Sequence, residues 1–282
     1  MKTYLVTFAT AEFRTAQRCL AESARSAGGI DEVVLWDSDA WSQLEFFRHH
    51  REVTQCSIGA GYWLWKPYII LDLLRRVADD DVVIYCDTGR GGGYRFRADI
   101  GPLADWVKAA DCGFIPGCYI PEWGPNRKWT KRDCFFHMNC DEPKYWDHCQ
   151  IQATFSAWRR TARSLMFLQE WLDCCTDVRL VSESANTCGL PNLEGFIGHR
   201  HDQSILTNLA IKHGVTCYGS PTRTFLLERQ KDINFLIARM CGDRLLNIEL
   251  LLRYLVRRGK GGLGRHINRL MTWAGWVARR NR

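Results

Sequence analysis

The sequence predicts an α/β fold: a Rossmann-type sheet flanked by helices, followed by a basic C-terminal helical extension. Three observations carry this. Strand-like and helix-like segments alternate from Thr3 to Asp87 in the order β-α-β-α-β. Val82 to Tyr85 is apolar or aromatic throughout, with no polar alternation, as in a parallel strand covered on both faces. That segment runs straight into Asp87 and a turn rich in glycine (Gly89, Gly91, Gly92, Gly93). Open α/β sheets bind their ligands outside the carboxyl ends of such strands.

Residues 3–9 read as the first strand. Glu12 to Ala27 follows with helical spacing and stops at Gly28-Gly29. Asp31 to Trp36 is the second strand, ending in Asp37-Ser-Asp39. A helix starts after Gly61 and runs to Val77, with Pro67 near its first turn, where a missing N–H is tolerated. Beyond the Asp87 strand come a helix over Asp99 to Ala110 and a short strand over Cys112 to Pro116. Tyr119 to Asp147 is rich in Pro, Gly, Trp, Lys and Asn, and irregular chain of that length inside a domain points to function. His148 to Ala157 predicts a strand, and Thr161 to Cys175 an amphipathic helix. The polar loop from Ser182 to Gly198 leads into a helix with Asp202 in its first turn and Gly214 after its last; Val215 to Tyr218 is a final strand.

The 282 residues, 46% hydrophobic and 24% charged, suit one large domain with an extension. There is no apolar run long enough for a transmembrane helix. The N-terminus enters Glu12 and Arg14 without a cleavage-like site, so it is expected to be a strand and not a secretion signal. Thirteen cysteines, odd in number and without a Cys-x-x-Cys pair, favour a reduced intracellular protein over a disulfide framework. The net charge of +7 is local. From Leu250 to Arg282 there are nine Arg or Lys and no acid, which leaves −2 for the remainder.

Two further clusters accompany Asp87. His199-Arg200-His201-Asp202-Gln203, with Asn208 further along, places two imidazoles, a carboxylate and amides at a helix start, an expensive arrangement unless each finds a partner. Imidazole is a common metal ligand, and a neighbouring carboxylate can position a substrate hydroxyl. The plainer reading is a helix cap by Asp202. Gly61-Tyr62-Trp-Leu-Trp-Lys66-Pro67-Tyr68 offers rings to stack on a base and a lysine to meet phosphate. The plainer reading there is an aromatic corner of the core, with Lys66 reaching water.

Taken in order, Thr7-Phe8-Ala9, the aromatic Lys-Pro helix, the strand into Asp87 and the late Asp202-Gln203-Ser-Ile-Leu206-Thr-Asn208 resemble the nucleotide-sugar-dependent glycosyltransferases of the GT-A fold. The resemblance is to polysaccharide-type transferases and, more distantly, to the glycogenin and lipopolysaccharide galactosyltransferase group. It covers residues 1–220 and implies a GT-A-like mixed sheet, with a donor-binding half over about 1–118 and an acceptor side over about 119–220. Residues 221–282 form the extension. In that family a strand ending in Tyr-x-Asp-x-Asp holds a divalent cation on the donor diphosphate. Asp87 matches one acid; Cys86, Thr88 and Gly89 stand where the second would be. Two readings follow: a site without the ion, or Mn²⁺ or Mg²⁺ held by Asp87 with His199 or His201, diphosphate oxygens and water. The resemblance also implies that Asp202 and Gln203 lie beside the donor sugar as catalytic residues. It places Thr7, Phe8, Ala9, Tyr62, Lys66, Asp87 and Gln152 on the donor.

This assignment suits the chemistry. Departure of a nucleoside diphosphate needs positive charge on the leaving group. The anomeric carbon, where oxocarbenium character develops, needs an anionic or amide neighbour. The expected activity is transfer of a sugar from a nucleoside diphosphate sugar to a glycan or lipid-linked acceptor, with retention of configuration. Trp123, Lys128, Trp129 and Lys131 interleave rings and cations and are expected on the acceptor side. In the tail, Ile267, Leu270, Met271, Ala274 and Val277 recur at helical spacing among arginines, a pattern suited to an anionic membrane surface and a cytoplasmic, membrane-face location. The alternatives are a sugar nucleotidyltransferase, which lacks its Gly-rich phosphate loop here, and a nucleic-acid-binding protein. The near-neutral body argues against nucleic acid as a partner.

Overall fold

The computed structural model describes residues 1–27, 29–89, 94–96, 101–110, 112–119, 123–215 and 218–219. The chain opens with β1 (Thr3–Ala9), α1 (Arg14–Ala27) and β2 (Glu32–Asp37). Four short helices follow: α2 (Ser38–Gln43), α3 (Glu45–His49), α4 (Arg51–Thr54) and α5 (Gly59–Tyr62). They lead to α6 (Trp65–Arg76), β3 (Val82–Cys86), α7 (Gly101–Ala109), β4 (Phe114–Ile115) and β5 (Cys118–Tyr119). Next come α8 (Arg132–His137), α9 (Pro143–Trp146), β6 (Ile151–Gln152) and β7 (Phe155–Arg159). The last elements are α10 (Ala162–Thr176), α11 (Val178–Val181), α12 (His201–Lys212) and β8 (Tyr218–Gly219).

The main sheet runs β2-β1-β3-β7-β4. β1 pairs in parallel with β2 and β3, while β7 runs antiparallel to both β3 and β4. A smaller sheet orders β6-β5-β8. This is the mixed sheet flanked by helices that the sequence predicts. Every residue of β3 is buried, and the alternation of its side chains explains why no polar residue interrupts it. Val83 and Tyr85 join Val6 and Phe8 in a core with α6, α10 and α12. Val82, Ile84 and Cys86 point the other way, joining Leu5, Leu20 and Ala24, with Ala104 and Val107 of α7. Each large aliphatic side chain so buried contributes about 1.5–3 kcal/mol, so both faces of this strand stabilise the fold.

α10 starts where its sequence dictates. Thr161 Oγ1 accepts from the Ser164 N–H at 3.1 Å and Ser164 Oγ accepts from the Thr161 N–H at 3.0 Å, a reciprocal cap.

The structure departs from the sequence-based expectation in three places. His148 to Ala157 is two strands, because β6 pairs with β5 in the small sheet and β7 with β3 in the large one. The chain changes sheets at Ala153 and Thr154. The stretch 119–147, expected to be irregular, contains α8 and α9. Val215 lies outside any strand, and β8 covers Tyr218–Gly219. Gly91, Gly92, Gly93 and the whole basic extension 221–282 lie outside the described residues.

Candidate active site

The parallel strands bring the ends of β1, β2 and β3 to one edge of the sheet. β7, running the other way, starts at that edge, with Phe155 opposite Cys86. The Asp87 N–H donates to Thr154 O at 2.9 Å, so the acid that leaves β3 is pinned beside the sheet-switching turn. α6 returns to the same edge with Lys66 in its first turn, and α12 brings Asp202 in its own first turn. Lys66 Nζ lies 2.8 Å from Asp202 Oδ2 and 3.8 Å from Asp87 Oδ1. These three side chains line a cleft of about 150 Å³ together with Trp63, His201 and Gln203; Ala153, Thr154 and Arg200 complete its wall.

The electrostatics follow from two acids sharing one ammonium. Burial alone would lower the Lys66 pKa, but the attraction of Asp202 and Asp87 outweighs it and holds the amine cationic. Burial pushes the Asp202 carboxyl up; Lys66 opposes this and Asp87 adds to it. Asp202 is 3% exposed, and its Oδ2 lies 2.8 Å from the Lys66 ammonium. Asp87 has a further partner, since the Tyr85 hydroxyl donates to its Oδ1.

The turn before α6 is strained. Ala60, Tyr62 and Trp63 have φ of 51°, 50° and 61°, and Gly61 between them has φ of 95°. A Cβ on Gly61 would sit 2.9 Å from Thr54 Cα, so glycine is required there for space as well as conformation. His201, at the start of α12, also has positive φ, at 51°. Left-handed non-glycine residues cost about 1–2 kcal/mol each and persist only when their surroundings fix them. Here the fixing contact is visible: the His201 ring packs on Tyr62 at 4.9 Å and on Trp63 at 5.5 Å between centroids.

The remaining expected residues fall into distinct places. Thr7 spends its hydroxyl on Cys86 O at 2.8 Å, Phe8 stacks on Trp65 at 4.1 Å, and Ala9 is buried at the strand end. Gln152 is half-buried in β6. None of these four lines the cleft. Gln203 does, yet both ends of its amide are engaged: Oε1 accepts from the Ala153 N–H at 3.2 Å and Nε2 donates to Gln150 Oε1 at 2.8 Å. It fixes the 150–154 turn. Leu206 and Asn208 are fully buried in α12, and Asn208 Oδ1 accepts from Asn126 Nδ2 at 2.9 Å. The Arg200 guanidinium lies 4.7 Å from the Trp123 ring and 4.5 Å from the Trp129 ring, two rings tilted 52° to each other. Lys131 is buried, its Nζ donating to Ser184 O at 2.8 Å, and the Lys128 carbonyl accepts from the Ile197 N–H at 2.8 Å; neither lysine lines the cleft. Trp63, Ala153, Thr154 and Arg200 are the lining residues that sequence reasoning did not select. Arg200 sits between the two histidines it did select.

The residues named for a divalent ion do not fit one as folded. His199 Nε2 donates to Leu180 O at 2.7 Å and its Nδ1 accepts from the Lys131 N–H at 3.3 Å, so both nitrogens are spent. Burial, with His201 nearby, holds His199 well below the usual imidazole pKa and therefore neutral. His201 Nδ1 donates to Val181 O at 2.8 Å and its Nε2 faces Glu183 at 3.6 Å. Asp87, the remaining acid of that set, already has the Lys66 ammonium 3.8 Å away. Among the described residues there is no group of three or more His, Cys, Asp or Glu arranged to hold a metal.

No protein-family model matches the chain, and no curated protein matches it. Among solved structures it is similar to the apo form of WbbM, a bifunctional glycosyltransferase, with 12% identity and a TM-score of 0.44 over 74% of this chain and 37% of that one. The chain thus spans well under half of that protein. Similarity at this level carries no argument about activity, which has to come from the site. Among the described residues no helix is long and apolar enough to cross a membrane.

Proposed function

We propose that the chain is a GT-A-type glycosyltransferase that moves a sugar from a nucleoside diphosphate sugar to a glycan or lipid-linked acceptor. The observation that carries this reading is Asp202, a buried carboxylate that lines the cleft and shares the Lys66 ammonium with Asp87. A carboxylate keeps acceptor capacity beyond one such contact, which a sugar hydroxyl can use. The cleft lies at the carboxyl edge of parallel strands, where α/β folds take nucleotide ligands. Its volume, about 150 Å³, is below the ~300–1,000 Å³ of sites that enclose a drug-sized ligand. It suits the transferred sugar, with the rest of the donor lying outside.

In this reading Asp202 faces the sugar ring and stabilises the positive character that develops at the anomeric carbon. A carboxylate on that side favours retention. Gln203 positions the Ala153–Thr154 turn, and Arg200, which contacts two tryptophan rings and lines the cleft, is placed to meet an anionic group. The basic segment 250–282 is read as meeting an anionic cytoplasmic membrane face, where the lipid-linked acceptor would lie.

The experiment is release of nucleoside diphosphate from a panel of UDP- and GDP-sugar donors by the full chain, with Asp202→Asn as control. Turnover of one donor that the control loses by about 100-fold or more supports the assignment. Equal turnover by Asp202→Asn, or no binding of any donor, removes it.

A further inference from the structure

Resting on the sugar-transfer reading, the geometry of the cleft also indicates where the positive charge comes from. Transfer breaks the bond between the anomeric carbon and the β-phosphate oxygen, and the electron pair leaves on that oxygen. The acceptor hydroxyl oxygen forms the new bond to carbon, and its proton passes to the departing phosphate. The growing charge on the phosphate must be met by cations already in place.

The strand end supplies a single acid, Asp87, and its Oδ1 already accepts from Tyr85. Lys66 Nζ lies 3.8 Å from that carboxylate oxygen and 2.8 Å from Asp202 Oδ2, so the cation beside both acids is already an ammonium. That amine is not a mobile surface charge. Its side chain is 4% exposed, and its Nζ lies 5.9 Å from the Trp65 ring and 5.5 Å from the Tyr85 ring. Its position in the chain is set by the left-handed turn through Ala60–Trp63. An ammonium carries three N–H donors. Asp202 takes the nearest contact, and Asp87 is too distant for a direct hydrogen bond, so donor capacity remains toward the cleft that Lys66 lines. Arg200 lines the same cleft. Lys66 shares its charge with the two acids, and Arg200 adds a second positive charge to the cleft wall.

We propose that Lys66, supplemented by Arg200, is the tethered cation that holds the donor diphosphate and neutralises it as it leaves, so that transfer requires no divalent metal.

The test uses the full chain as it stands. Binding of the accepted sugar donor and of its free nucleoside diphosphate is measured by titration calorimetry, and turnover by diphosphate release, in excess EDTA and again with Mn²⁺ or Mg²⁺. Affinity and turnover that agree within about threefold across these conditions support the proposal. A loss of about 100-fold in EDTA, restored by metal, overturns it while leaving the sugar-transfer reading intact. No binding of any donor under either condition overturns both. Lys66→Met is expected to lose diphosphate affinity by about 100-fold without recovery on adding Mn²⁺. Because that variant strands the buried Asp202 and the half-buried Asp87, the comparison on the unaltered protein decides the matter even if the variant does not fold.

Discussion

Lys66 and Asp202 form an ion pair 2.8 Å long in which both side chains are almost completely withdrawn from water, at 4% and 5% exposure. Breaking a buried pair from one side leaves an uncompensated charge and costs about 3–5 kcal/mol. The two sides are not equivalent here. Lys66→Met strands Asp202 and Asp87 together, whereas Asp202→Asn leaves Lys66 with Asp87. Urea unfolding should therefore show Lys66→Met destabilised by about 3–5 kcal/mol, with Asp202→Asn losing less than half of that. Equal losses would contradict the shared ammonium.

Asp133 gives the fold an acid-sensitive fastening. Its buried carboxylate accepts from the Thr187 N–H at 2.9 and 2.8 Å and from the Cys188 N–H at 2.8 Å, with Lys131 at 3.7 Å and His137 at 3.8 Å. Burial alone would raise its pKa, but these bonds outweigh it and bring it to about 2. The folded pKa lies below the unfolded value of 3.8, so the contribution to stability is complete above that value. It is lost as pH falls from there through about 2. Denaturation curves of the unaltered chain and Asp133→Asn should converge across that window, the unaltered chain losing about 1–2 kcal/mol more than the variant. A constant difference between the two would rule out this linkage.

Gly61→Ala places a methyl group against the Thr54 backbone at a φ of 95°. A loss of about 2 kcal/mol or more is expected, exceeding the usual cost of filling a tolerant glycine site. Because the same turn aims Lys66, donor affinity should also fall. Calorimetric melting and donor titration on this one variant measure both effects.

The contact of Arg200 with Trp123 and Trp129 predicts a graded series. Trp129→Phe keeps a ring beside the guanidinium and should retain most donor affinity. Trp129→Ala removes one of the two ring contacts, worth about 0.5–2 kcal/mol, and should weaken donor affinity by up to about 30-fold. Titration calorimetry of both variants distinguishes a stacking role from mere bulk, which would affect stability alone.

For the basic extension, a chain ending near Gly259 should lose flotation with anionic liposomes that the full chain retains. Equal flotation would remove the membrane reading.

The sheet was legible in the sequence because its central strand is buried on both faces, and only a strand so covered needs an unbroken apolar run as short as Val82 to Tyr85. Asp87 was legible for the same reason: it is the first acid past that run. The switch at Ala153–Thr154 was not, since β6 and β7 have similar strand-forming residues and only their different partners separate them. Lys66 and Asp202 were each selected, but for unrelated reasons. That they neutralise one another depends on how α6 and α12 meet, which no local pattern records. The histidines show the converse. A ring at a helix start suits a ligand or a brace equally, and the carbonyls of Leu180 and Val181 that engage them belong to another helix. Thr7 likewise has the right type at a strand end, yet its hydroxyl satisfies the neighbouring strand.

The stack of His201 on Tyr62 and Trp63 has a consequence for how the site tolerates change. The amine comes from the segment that follows Trp63 and the carboxylate from the residue after His201, so one imidazole serves as the common bearing for two parts remote in sequence. A substitution that removes this ring would loosen the seat of the amine and the seat of the acid together, although neither charged group is itself altered. Damage at His201 is thus felt on both sides of the ion pair at once.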